Sequence, residues 1–88
     1  MSVPVHLSSH LRSYTRGRSD VEAEGGTLAE LMTDMDRRFP GIRFRVIDEQ
    51  EHIRPHLNFF VDGSITRDLA TPIPSGKEVA ILGALSGG

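Results

Sequence analysis

The residues best suited to chemistry stand at the end of the sequence, Gly87 and Gly88. Glycine has no Cβ, so an extended Gly-Gly segment can enter a channel too narrow for other residues and present its carboxylate to a reagent beyond it. The chemistry would be activation of that carboxylate. The same two residues also fit a frayed, glycine-rich terminus, and spacing alone leaves both readings open. Other constellations are poorer. Cysteine is absent, which removes disulfides, thiolate zinc ligands and cysteine nucleophiles, and fits a reducing compartment. His6 with His10 and His52 with His56 have i,i+4 spacing, but His6 falls in a strand pattern and Pro55 argues against a helix across the second pair, so no metal site is expected. Gly25-Gly26-Thr27 lacks the lysine of a phosphate loop and reads as a turn. Arg12, Arg16 and Arg18 read as an exposed charged loop, with contact to an acidic partner as the alternative.

A chain of 88 residues has room for one compact domain but not for both a deep substrate cleft and a full core, which points to a module that works with partners. Ten Lys plus Arg against twelve Asp plus Glu leave a formal charge of −2, without the basic excess of a protein held on phosphate backbones. Nucleic acid is therefore not an expected partner. Hydrophobic residues at 38% and charged residues at 25% place the chain among globular proteins rather than disordered ones. No stretch approaches the ~20 apolar residues of a membrane span, and Met1 to His6 carry no targeting pattern, so a cytoplasmic protein with no membrane partner is expected.

The elements that must position the tail follow from periodicity. Val3, Val5 and Leu7 alternate with polar residues or proline as in a half-buried strand, and Val21 and Ala23 form a second short strand closed by Gly25-Gly26. Ser8 to Gly17 reads as one helical turn or a loop. Thr27 followed by Glu30 makes a capping-box pattern, and Leu28, Leu31, Met32, Met35 and Phe39 recur at helical spacing until Pro40-Gly41. Ile42, Phe44 and Val46 alternate like a short extended piece, followed by an exposed turn over Asp48 to Glu51. Leu57, Phe59 and Val61 before Asp62-Gly63 are a strand and turn, and Glu78 to Leu82 is the last strand. A domain over 1–82 followed by a flexible tail over 83–88 is expected. One helix covering one face of a small mixed sheet makes a two-layer α+β domain. If Leu57, Phe59 and Val61 face the helix, Phe60 faces away; if Val79 and Ile81 are core, Leu82 is exposed beside the tail. Phe60, Leu82 and Leu85 then form a candidate docking patch, set against the alternative of scattered surface hydrophobes.

The runs Val3-Pro4-Val5-His6-Leu7, Glu24-Gly25-Gly26-Thr27-Leu28-Ala29-Glu30-Leu31 and Arg38-Phe39-Pro40-Gly41 resemble the sulfur-carrier family that includes the small subunit of molybdopterin synthase and the thiamine sulfur carrier. Leu57 to Gly63, Asp68 to Ile73, Ser75 to Leu82 and Leu85-Ser86-Gly87-Gly88 continue the resemblance in order, over nearly the whole chain. The segment Ile42 to Pro55 is similar to the subgroup serving cysteine, methionine and thio-metabolite synthesis.

That resemblance implies a ubiquitin-like β-grasp fold, with a mixed sheet packed on one main helix and a flexible C-terminal tail. It implies a carrier, not an enzyme, able to serve as the small subunit of a sulfur-transferring synthase. An E1-like adenylating enzyme would use ATP to activate Gly88, and the resulting thiocarboxylate would pass sulfur to an acceptor synthase. The carrier itself would bind no cofactor. Gly87 and Ser86 would thread the tail, and Leu82 matches an apolar position that the family buries against the activating enzyme. A ubiquitin-like modifier conjugated through Gly88 is the alternative, weakened by Lys77 being the only lysine available for chains. A binding module with an inert tail is the third reading.

Overall fold

The computed structural model describes residues 2–83. Five strands form one sheet in the order β2-β1-β5-β3-β4: β1 Ser2–Leu7, β2 Asp20–Glu24, β3 Leu57–Val61, β4 Ser64–Thr66 and β5 Val79–Gly83. β1 and β5 are parallel, with Val5 opposite Val79 and Leu7 opposite Ile81, and every other pairing is antiparallel. The sheet is therefore mixed, and the two ends of the chain supply its central strands. Alternation sends Val3, Val5, Leu7, Val21, Ala23, Phe59, Val61, Val79 and Ile81 to one buried face.

Helix α1, Leu28–Arg38, covers that face with Leu28, Leu31, Met32 and Met35, all fully buried, while Phe39 packs partly buried at its end. Its start is satisfied group by group. The Thr27 hydroxyl accepts from the Glu30 N–H at 3.2 Å, as the capping pattern predicts. The Glu30 carboxylate, however, reaches past Thr27 to accept from the Gly26 N–H at 2.8 Å. Thr27 itself is bridged to Pro72, and the Leu28 and Ala29 N–H groups donate to the carbonyls of Thr71 and Leu69. The loop before β5 thus supplies acceptors that a helix start otherwise takes from solvent.

The segment expected to be extended at Ile42 is instead a single helical turn, α2, Ile42–Val46. Ile42 and Val46 are buried and Phe44 is 61% exposed. The Asp36 carboxylate fixes the turn by accepting from the N–H groups of Gly41 and Arg43, each at 3.1 Å. Phe44 keeps a partner outside the core, since the Arg54 guanidinium lies 4.7 Å from its ring centroid. The expected exposed turn follows, with Asp48 Oδ1 accepting from Gln50 and His52 N–H at 2.9 Å each. Ser9–Thr15 forms a short 3₁₀ helix between β1 and β2. Among the described residues no helix is long and apolar enough to cross a membrane.

Candidate functional site

β5 runs to Gly83, the residue expected to begin the tail, and Gly83 is held from both sides. On one side it stands opposite Leu57 of β3. On the other, its N–H donates to the Ser8 hydroxyl at 3.0 Å, and the Ser8 N–H donates to the Ile81 carbonyl at 3.1 Å. The imidazole of His10 lies over its Cα, so that a Cβ there would stand 1.8 Å from the ring. A larger residue here would have to displace the exposed His10 ring. The root of residues 84–88 is thus a fixed point at the end of the parallel β1/β5 pair. Leu85, Ser86, Gly87 and Gly88 themselves lie outside the described residues.

Leu82 and Phe60 both turn away from α1 and are half-buried on the open face of the sheet. Register brings them together: Leu82 stands opposite Asn58, and Phe60 opposite Ala80, so the two lie diagonally across β5 and β3. β4 adds a residue that periodicity did not single out. Ile65 pairs with Phe60 and is 60% exposed. The signal for it was present in the two-residue turn Asp62-Gly63, whose left-handed φ values of 51° and 83° place residue 65 opposite residue 60. Leu82, Ala80, Phe60 and Ile65 make one apolar strip across β5, β3 and β4.

Apart from Pro4 on β1, the rest of that face is polar. On β2, Asp20, Glu22 and Glu24 point outward and are exposed. Hydrogen bonds from His6 and then Ser19 hold the Asp20 carboxyl below its ordinary range. These carboxylates lie beyond β1, one strand removed from the apolar strip. His6 bonds Asp20 at 2.9 Å while His10 packs on Gly83, so these two histidines serve different neighbours. Among the described residues no group of three or more His, Asp or Glu side chains is placed to hold a metal ion.

A five-strand mixed sheet on one principal helix, with its last strand ending at the anchored Gly83, defines a ubiquitin-like β-grasp domain. The chain belongs to the ThiS family, whose sequence model matches residues 5–88. The sulfur carrier protein CysO of Mycobacterium tuberculosis H37Rv and that of Mycobacterium bovis are each 34% identical to it over 93 residues, covering 100% of both chains. Among solved structures, a chain of the Amycolatopsis orientalis BexX/CysO complex superposes with a TM-score of 0.90 at 32% identity, covering 98% of this chain and 99% of that one. Mycobacterium tuberculosis CysO superposes at 0.87 with 32% identity, covering 93% and 98%. SAMP1 of Haloferax volcanii, at 0.83 and 21% identity over 100% of both chains, shares the fold. The protein is a ThiS-type carrier and not an enzyme.

Proposed function

We propose that this carrier transports sulfur as a thiocarboxylate on Gly88. The observation that carries the reading is the length of the match: the family model covers residues 5–88, Gly87 and Gly88 included, and the carriers named for sulfur align over 100% of both chains. In the proposed cycle a carboxylate oxygen of Gly88 attacks the α-phosphorus of ATP on an E1-like partner, the α–β phosphoanhydride bond breaks and pyrophosphate leaves. Hydrosulfide then attacks the acyl carbon, AMP departs with the bridging oxygen, and a proton is released. The carrier contributes no catalytic group. Its work is delivery, and ATP belongs to the partner.

Delivery has two requirements. Five residues beyond Gly83, fully extended at ~3.3 Å each, reach about 17 Å, enough to cross into a partner's pocket from an anchored root. Ser86 and Gly87 offer little bulk on that path. Docking is assigned to Leu82, Phe60, Ile65 and Ala80, with Leu85 continuing toward the tail. Burying one such large side chain is worth about 1.5–3 kcal/mol at most, so three of them suffice for a transient complex. The Amycolatopsis relative is found in complex with BexX, which supports a partner-dependent role. An acceptor synthase would use the same tail after release.

The test is mass spectrometry of the chain after incubation with its cognate activating enzyme, ATP and a sulfide source. The mass should rise by the difference between sulfur and oxygen, and the change should map to Gly88. One residue appended after Gly88 should abolish it. A lysine-linked conjugate formed in place of the thiocarboxylate would assign the chain to the modifiers instead.

A further inference from the structure

We propose that a second site, separate from the open face of the sheet, receives an acidic segment of a partner protein. A cavity of about 310 Å³ lies between the 3₁₀ helix and the end of α1, walled by Tyr14, Arg16, Arg18, Arg38, Phe39 and Pro40. Three arginines line it, two from the loop after the 3₁₀ helix and one from α1. Arg38 is already committed, to Asp34 at 2.7 Å and Glu24 at 3.6 Å. Arg16 and Arg18 make no ion pair among the described residues, and two positive charges therefore stand uncompensated over one cavity.

The loop that carries them is built rather than loose. Thr15 is the only buried polar residue among those described, and its hydroxyl lies 2.7 Å from the Arg18 carbonyl and 3.2 Å from that of Arg12. The Gly17 and Arg18 N–H groups close the turn onto the carbonyls of Arg12 and Thr15. Arg16 itself has φ 58° and ψ 38°, the left-handed conformation that an arginine adopts only at a cost and a glycine adopts freely. Folding alone would favour glycine at that position. Arginine there sacrifices local stability and places a fork of donors at the cavity.

The chemistry of the walls selects the ligand. A phosphate cradle needs free backbone N–H groups, and those of Gly17 and Arg18 are already bonded. The volume is several times that of an inorganic oxyanion, and Tyr14, Phe39 and Pro40 supply apolar wall that would cover side-chain stems. Carboxylates on a peptide fit the two free guanidinium groups, and an apolar residue beside them fits the rings. Position makes the site useful. The 3₁₀ helix Ser9–Thr15 sets His10 against Gly83 near its start and ends at this loop, so one short helix separates the cavity from the tail root. A partner gripping residues 84–88 could reach it at the same time.

The test uses the whole chain and does not depend on what Gly88 carries. An N-acetylated, C-amidated peptide Glu-Leu-Glu-Glu-Leu is titrated into the isotopically labelled protein, with inorganic phosphate at matched ionic strength as the parallel arm. Saturable amide shifts are expected at Tyr14 to Arg18 and Arg38 to Gly41, falling with added salt. The double variant Arg16→Gly, Arg18→Ser should bind about tenfold more weakly. Arg16→Gly alone should melt at or above the wild-type temperature, which separates lost binding from lost folding. Shifts that persist in the double variant, or that appear only elsewhere, overturn the proposal. Equal saturation by phosphate at the same amides overturns it in favour of a small-oxyanion site.

Discussion

Phe59 and Phe60 are neighbours in β3, and they belong to different parts of the molecule's work. Phe59 is fully buried beneath α1 with Val5, Leu7 and Ile81, whereas Phe60 lies on the open face with Ala80, Leu82 and Ile65. The same strands thus make a closed face and an open one by alternation alone. Burial on the closed face is complete without any partner, so its side chains act on stability. The open face keeps its apolar strip in water, so its side chains gain their burial only when something docks. Each substitution below asks whether the two faces separate in this way.

The largest effect is expected on the closed side. Phe59→Ala removes the largest fully buried side chain and should cost about 3–5 kcal/mol of unfolding free energy. At ~0.05–0.15 kcal/mol per residue, that is a large part of what a domain of this size possesses. Denaturant titration followed by circular dichroism measures it; a loss below about 1 kcal/mol would mean that α1 does not close this face. On the open side, Leu82→Glu should leave the midpoint nearly unchanged while weakening binding to the activating enzyme by about 2–3 kcal/mol in calorimetric titration. A variant that unfolds like Phe59→Ala would put Leu82 in the core and break the comparison.

Smaller effects sharpen it at the rim of α1. Thr27→Ala should lose about 1 kcal/mol of stability, because the Glu30 N–H is left without its acceptor, and sulfur loading should proceed at the wild-type rate. Slower loading at equal folded population would tie the helix start to function. The smallest effect is a pH dependence at Asp34. The Glu24 N–H at 2.8 Å, then the guanidinium groups of Arg38 and Arg37, pull its carboxyl down from an ordinary 3.8 to about 2. A carboxyl held lower in the folded than the unfolded chain contributes stability above the unfolded value and loses it as pH falls through the folded one. The melting-temperature gap between wild type and Asp34→Asn should therefore be constant above about pH 5 and close as pH falls from 4 toward 2. A gap unchanged at pH 2 would show that Asp34 is not the strap between α1 and β2.

Much of this arrangement was legible from local spacing. Thr27 and the Leu28, Leu31, Met32, Met35 series announce α1, and alternation in β1, β3 and β5 assigns Phe60 and Leu82 to the outside. The segment at Ile42 is ambiguous from spacing, because residues 42 and 46 satisfy both a strand's alternation and a helix's i,i+4 spacing. Phe44 decides between them, since it stays outside the core and meets Arg54, ten residues away. The membership of Ile65 in the apolar strip required the hairpin register, and the anchoring of Gly83 required Ser8 and His10 to arrive from the far end of the chain.

The division has a physical cause. Periodicity, capping and turn chemistry are set by backbone geometry within a few residues, so α1, the strands β1, β2, β3 and β5 and the faces of their residues could be read from local spacing. Contacts between β1 and β5, between Thr71 and α1, and around the arginine cavity join residues tens of positions apart. Their geometry comes from sheet register and loop docking, which no local pattern encodes, and the assembled sheet is what sets the anchoring of Gly83 and makes neighbours of distant exposed side chains.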